Sequence, residues 1–324
     1  MARVARIERH GGPEVIRWVD VDLPDPGAGE VRIRTTAVGL NFIEVYQRTG
    51  LYPMTLPSGL GGESVGVIEA VGPGVAGYAV GERVGTFGPA IGSYATHRNL
   101  PADSLFHLPD AVDDVTAAAI LLKGATTEFL IERCAKVQPG WTVLVHAAAG
   151  GVGQLLVQMA KRRDATVIAL ASTPEKAALA VARGAEHGLT YEEDWVATVR
   201  QLTAGGVDIA YDSVGTTLAD SLAATRPRGT VVAYGTAGGD PPAIDPRQLM
   251  EQSKAVVGGD LWDHLDSREG RLARAAALFA ALRAGEIALP EIEVFPLSRG
   301  ADAHRRLESR GVTGKIVLVP DEVA

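Results

Sequence analysis

Short alternations of apolar and polar residues run through the first third of the chain. Val31-Arg32-Ile33-Arg34-Thr35-Thr36-Ala37 and Ser64-Val65-Gly66-Val67-Ile68-Glu69-Ala70-Val71 repeat with period two between Gly- and Pro-containing breaks. That is the pattern of strands with one face in a core and one toward water, and it predicts a glycine-rich β-domain. From Thr142 the pattern changes. Thr142-Val143-Leu144-Val145-His146 and Thr166-Val167-Ile168-Ala169-Leu170-Ala171 are continuous apolar runs, as strands buried on both faces require. Between them Val152, Leu155, Leu156 and Met159 recur at helical spacing, and Lys161, Arg162 and Arg163 crowd the end of that helix, where cations suit its dipole. Strand, helix and strand make a βαβ unit. Further strands at Val207–Ala210, Thr230–Tyr234 and Ala255–Val257, separated by helical stretches such as Leu218–Thr225, extend it into a doubly wound parallel sheet of the α/β class. A helix with Leu272, Ala275, Ala276, Phe279 and Leu282 on one face, a short extended piece and a strand over Lys315–Val319 complete the predicted elements.

At 324 residues and 46% hydrophobic, the chain can fill two ordinary cores. A net charge of -8 opposes a nucleic-acid or anionic-membrane surface, since both reward clustered Lys and Arg. No apolar run reaches the roughly 18–20 residues that span a bilayer, and the start lacks an apolar leader core, so a cytoplasmic protein is expected. Cys134 is the only cysteine, which excludes an internal disulfide and a cysteine-rich zinc site. It is expected as a small buried helix residue.

Directly after the first buried strand stands Ala147-Ala148-Ala149-Gly150-Gly151-Val152-Gly153, opening the helix. A dinucleotide pyrophosphate needs backbone N–H groups at close range and a positive helix end, and a side chain on the turn would hold it away. Gly150 and Gly151 remove that obstacle, and Gly153, a turn further on, permits close packing. The leading glycine of G-x-G-x-x-G is absent, so placement between two buried strands is what gives the turn its meaning. At the end of the second strand an NAD enzyme offers a carboxylate to the adenosine ribose. Here the chain reads Ala171-Ser172-Thr173-Pro174-Glu175-Lys176: two hydroxyls and a cation, which suit a 2′-phosphate, with Glu175 explained as a first-turn acid. NADPH is the expected cofactor.

Several separated motifs carry a resemblance over essentially the whole length. Gly61-Gly62-Glu63-Ser64-Val65-Gly66-Val67-Ile68-Glu69-Ala70-Val71-Gly72-Pro73 resembles the G-H-E-x2-G-x5-G signature of zinc alcohol dehydrogenases, with Gly62 in place of a ligand histidine. Val38-Gly39-Leu40-Asn41 resembles the segment where those enzymes carry a zinc cysteine, here Asn41. Asn41-Phe42-Ile43-Glu44-Val45-Tyr46-Gln47-Arg48-Thr49-Gly50-Leu51-Tyr52-Pro53, Leu122-Lys123-Gly124, His146–Gly153 and Tyr211-Asp212-Ser213-Val214-Gly215 resemble the quinone oxidoreductase branch of the medium-chain dehydrogenase/reductase superfamily. The resemblance implies a Rossmann NADPH-binding domain over 124–263 and a discontinuous, β-rich GroES-like catalytic domain over 1–123 and 264–324. It implies Asn41 beside the nicotinamide ribose or substrate, Gly151 and Val152 at the pyrophosphate, and Ser172, Thr173, Lys176 and Tyr191 around the adenosine phosphate. Ser213 is expected at the adenine-side edge, Tyr234, Gly235 and Gly259 at the nicotinamide, and Lys315 closing over the cofactor. Glu44 is longer than the Asp expected at its position, Phe129 stands where some relatives carry a hydroxyl-bearing aromatic, and Asp164 replaces a helix-ending glycine.

With Asn41 and Gly62 at two ligand positions, and no compensating histidine pair, zinc is not expected. Hydride transfer to a quinone or a conjugated carbonyl places charge on an oxygen remote from the attacked atom. The Asn41 amide, Tyr46, Arg48, Tyr52 and Lys123 are the donors expected to stabilise it. His146 and the other histidines are expected to be structural. The leading expectation is NADPH:quinone reduction. The alternatives are reduction of enones or 2-alkenals and, in another class, an NADPH-binding sensor, crystallin-like or RNA-binding protein. The resemblance also implies a homodimer joined through the edge strand around Lys254–Gly259.

Overall fold

The computed structural model describes residues 1–192, 194–265 and 267–321. The chain forms two compact units: Met1–Leu122 with Leu265–Ala284 and Glu291–Ala324, and Lys123–His264 with Gly285–Pro290.

The first unit opens with a two-stranded antiparallel pair, β1 (Ala2–Arg6) and β2 (Arg17–Val21). β3 (Glu30–Leu40) follows, then α1 (Phe42–Thr49), β4 (Glu63–Val71), β5 (Arg83–Phe87), β6 (His97–Pro101), β7 (Leu105–His107) and α2 (Asp114–Phe129). The predicted alternation holds in β3, where Val31, Ile33, Thr35 and Ala37 are buried. The strand runs three residues beyond the predicted end because Val38, Gly39 and Leu40 pair with a later strand. Val31 and Ile33 close over Ile68, Val84, Leu100 and Leu105 in one core. Asn41 ends β3 and N-caps α1, which Gly50 terminates at φ 89°, a conformation glycine adopts without Cβ strain.

The second unit alternates strand and helix: β8 (Thr142–Val145), α3 (Gly151–Lys161), β9 (Thr166–Ala171), α4 (Pro174–Ala182), β10 (His187–Thr190), α5 (Trp195–Leu202), β11 (Val207–Asp212), α6 (Leu218–Ala224), β12 (Thr225–Ala233), α7 (Pro246–Gln252) and β13 (Ala255–Gly258). Its six parallel strands lie in the order β10-β9-β8-β11-β12-β13, the doubly wound arrangement expected from the apolar runs. β12 starts five residues before the predicted strand, and its register with β11 shifts where Pro227, Arg228 at φ 66° and Gly229 interrupt the pattern. Asp164, after α3, takes φ 56°, the left-handed cap that a glycine would fill.

The chain returns to the first unit through α8 (Arg268–Arg283), β14 (Glu291–Pro296), α9 (Gly300–Glu308) and β15 (Gly314–Val319). α8 buries Ala275, Leu278 and Phe279. Ala276, expected on that face, is exposed, because Leu278 fills the i+3 position below Ala275. β15 is buried along its whole length and joins β14 to β3 in a seven-stranded sheet. Among the described residues no helix is long and apolar enough to cross a membrane.

Candidate active site

In the second unit the expected ligand residues gather at the carboxyl ends of parallel strands, where open α/β sheets hold their ligands. β8 ends at Val145. The chain then turns through Ala147 at φ 46° to Gly150, the N-cap of α3, which has no side chain to cap the helix. The first intrahelical bond runs from Gln154 N to Gly150 O at 2.8 Å, so the N–H groups of Gly151, Val152 and Gly153 have no acceptor inside the helix. A Cβ on Gly153 would lie 2.4 Å from Ala147 O and 2.7 Å from Ala148 Cα. Glycine is therefore required there by the packing of α3 on its own turn.

At the end of β9, Thr173 N-caps α4, its Oγ1 accepting from Lys176 N at 3.3 Å, and Lys176 Nζ lies 3.3 Å from Ser172 Oγ. Ser172, Thr173 and Lys176 thus converge at one strand end. The ends of β11 and β12 bring Ser213, Tyr234 and Gly235 together: Tyr234 N donates to Asp212 O at 2.9 Å, and a Cβ on Gly235 would lie 3.1 Å from Ser213 O. Gly259 N donates to Ala233 O at 3.0 Å, and Phe129 packs where a Cβ would stand.

The Tyr191 hydroxyl accepts from Ala147 N at 3.0 Å and lies 3.3 Å from His146 Nδ1, so it is bound to the glycine turn. His146 is fully buried, and its Nε2 lies 2.9 Å from Ser221 Oγ. Burial lowers its pKa below the ordinary value. Ser221 also donates to Asp212 Oδ2 at 2.7 Å. Asp212 accepts further from Val214 N, Gly215 N and Thr217 Oγ1. This reproduces the expected structural character of His146, while Asp212 and Ser221 went unassigned. The visible signal was an acid closing an otherwise apolar strand, which demands donors.

The first unit holds a second polar cluster where β3, β4 and β15 meet. Asn41 Nδ2 donates to Glu63 Oε1 at 2.8 Å and to Gly39 O at 3.3 Å, and Lys315 Nζ donates to Asn41 Oδ1 at 2.7 Å and to Glu63. Glu63 Oε2 accepts from Leu122 N at 2.8 Å. An ammonium can only donate, so the Asn41 oxygen must face Lys315 and both amide hydrogens are committed. Both amide hydrogens of Asn41 are thus engaged within the cluster, and its carbonyl oxygen accepts from Lys315. Lys315 is fully buried in β15, paired with Glu63.

Arg48, another expected donor, lies inside the first unit. Its side chain is 0% exposed, donates to Gly11 O at 2.9 Å and pairs with Glu308, which consigns it to the interior of its unit. Tyr46 and Tyr52 do sit together, with ring centroids 5.1 Å apart, and Tyr52 remains 40% exposed. Lys123, at the start of the second unit, is buried and its carbonyl accepts from Thr127 Oγ1. Glu44 and Glu63 were not assigned from the sequence. Glu44 closes a capping interaction with Asn41 N at 2.6 Å and also accepts from Gly62 N at 3.2 Å. Burial, assisted by Glu63 and opposed by Lys315, raises its pKa to about 7. Cys134 is half-buried in a π-helical turn after α2, and burial pushes its thiol up to about 11.

A doubly wound sheet with an uncapped glycine turn, accompanied by a β-rich unit, defines a nucleotide-dependent oxidoreductase architecture. Family models agree in both regions: the alcohol dehydrogenase GroES-like domain matches residues 27–110, and the zinc-binding dehydrogenase model matches 151–275. The chain is 40% identical to a quinone oxidoreductase of Pseudomonas aeruginosa over 99% of its length and 100% of the relative's. It is also 40% identical to a 2-haloacrylate reductase of a Burkholderia species, over 99% of both chains. The structure of Escherichia coli quinone oxidoreductase complexed with NADPH superposes with a TM-score of 0.93 at 35% identity, covering 99% of this chain and 100% of that one. The chain belongs to the quinone oxidoreductase branch of the medium-chain dehydrogenase/reductase superfamily.

Proposed function

We propose that this protein reduces quinones at the expense of NADPH, without a metal. The observation that carries the reading is the pairing, at adjacent strand ends, of three unpartnered helix amides over Gly151–Gly153 with the Ser172, Thr173 and Lys176 cluster. The first suits a pyrophosphate and the second a ribose 2′-phosphate. Residues 213, 234, 235 and 259 line the remaining strand ends on this reading. NADPH, when bound, supplies a hydride. The chain's own part is to bind and orient the nucleotide and to stabilise charge on the acceptor oxygen, for which Tyr46, Tyr52 and Lys123 remain the proposed donors.

Zinc does not suit the donor set. An amide and a glycine stand at the two ligand positions, and the Lys315 ammonium already supplies positive charge to Asn41 and Glu63. Among the described residues no group of three His, Cys, Asp or Glu side chains is arranged to hold a metal. Reduction of a conjugated alkenoate or alkenal is the second reading, favoured by the equal identity to a 2-haloacrylate reductase. Steady-state NADPH oxidation against ortho- and para-quinones, 2-alkenals and 2-haloacrylate tests the choice: turnover with quinones is expected, and activity confined to the alkenes overturns it. Tight NADPH binding with no acceptor reduced would favour a sensor. The assembly we propose is a homodimer through β13, the exposed edge of the parallel sheet, in the cytoplasm, and sedimentation analysis checks the assembly.

A further inference from the structure

The polar chain beneath the glycine turn has a determinate direction. A carboxylate only accepts, so Ser221 commits its single hydrogen to Asp212 Oδ2 at 2.7 Å. Ser221 Oγ must then accept from His146 Nε2 at 2.9 Å, which places the imidazole hydrogen on Nε2. The ring is fully buried among Trp195, Tyr191 and the strand ends, an environment that disfavours a second proton. Nδ1 is then a bare acceptor facing the Tyr191 hydroxyl at 3.3 Å. With its hydrogen directed inward, Tyr191 turns a lone pair to Ala147 N at 3.0 Å. Ala147 is the residue at φ 46°, a backbone conformation that strains an alanine and persists only where its surroundings impose it.

We propose that Ser221, His146 and Tyr191 are positioning residues for nucleotide binding: anchored on Asp212, they form a one-way hydrogen-bond chain that holds the Ala147 amide and fixes the turn presenting the first amides of α3. The inference rests on the reading that a dinucleotide phosphate binds this turn. Neither Ser221 nor His146 needs to touch the ligand, and Ser221 acts three hydrogen bonds from the backbone it controls.

Four measurements test it. In uncomplexed protein, the nitrogen-15 spectrum of His146 should show the neutral Nε2–H tautomer, and Ser221→Ala should let the Nδ1–H form appear. Ser221→Ala should weaken NADPH binding about three- to tenfold, the range of one lost hydrogen bond, with turnover at saturating NADPH changed less than twofold. Thr217→Ala removes a different donor from the same Asp212 oxygen at 2.7 Å and should change NADPH affinity less than twofold, separating the chain from simple loss of support for the carboxylate. Adding Ser221→Ala to Tyr191→Phe should weaken binding no further than Tyr191→Phe alone. An Nδ1–H tautomer in the wild type, or NADPH affinity unaltered by Ser221→Ala, overturns the positioning chain while leaving the nucleotide reading intact. Wild-type protein that binds neither NADPH nor 2′,5′-ADP overturns both.

Discussion

The two units hide charge by different means. In the first, Glu44, Glu63 and Lys315 are all fully buried, and the Lys315–Glu63 pair neutralises one carboxylate with a counter-ion. Glu44 is left over and titrates near 7, pushed up by burial more than Lys315 pulls it down. In the second, Asp212 has no salt bridge among the described residues. Burial pushes its pKa up, but His146 and the Ser221, Thr217 and Gly215 donors outweigh it and hold the carboxyl below its ordinary range. A counter-ion concentrates the stabilisation in one contact, whereas several donors divide it. Loss of one partner should therefore be severe in the first unit and graded in the second.

The sharpest way to break the comparison is Lys315→Met. It leaves Glu63 buried without its cation, and urea unfolding should show a loss of about 3–5 kcal/mol. Adding Glu63→Gln should recover more than half, because the uncompensated charge is then gone. A single variant as stable as the wild type would mean that the pair is not the mainstay of the cluster. Lys176 provides the contrast in the other unit. It lies half-buried at the helix start with Ser172 and Thr173. Lys176→Ala should leave stability nearly unchanged and weaken NADPH ten- to a hundredfold, equivalent to about 1.5–3 kcal/mol, while NADH binding stays close to wild type. Calorimetric titration with both nucleotides checks this, and equal losses for the two would reject the 2′-phosphate pocket.

These two lysines also show what could be read from the chain. Lys176 belongs to a contiguous segment, Ser172–Lys176, whose chemistry is legible because strand end, N-cap and cation follow one another. The parallel sheet was legible for the same reason, since continuous apolar runs of four to six residues can be matched to strands buried on both faces. Lys315 lies in Gly314–Val319, where every residue is buried, so no alternation marks its direction. Its partner Glu63 is 252 residues away. Arg48, expected as a donor to the acceptor oxygen, pairs with Glu308, 260 residues away. The units and the phosphate turn follow from local periodicity. The charge clusters follow from strand pairings that no single stretch encodes, which is why the partners of Asn41, Arg48 and Lys315 do not show in the residues around them.

The smallest effect, and the finest probe of the first unit, is its pH dependence. Glu44 titrates near 7 in the folded protein against an ordinary 4.5, so between those values the folded state holds the extra proton and stability falls as pH rises. His304 runs the other way. Burial, with help from the Arg48 charge, pushes its pKa down to about 3 from 6.5, so between those values the unfolded state holds the extra proton and stability rises with pH. The windows overlap from 4.5 to 6.5, and there the two contributions oppose each other. Each single proton contributes at most about 1.4 kcal/mol per pH unit. Glu44→Gln should therefore make the slope of unfolding free energy against pH more positive than in the wild type across that window. His304→Leu should make it more negative, and the double variant should lie between. Parallel profiles for wild type and Glu44→Gln would mean that Glu44 is already ionised in the fold, its two backbone donors, Asn41 N and Gly62 N, having prevailed over burial.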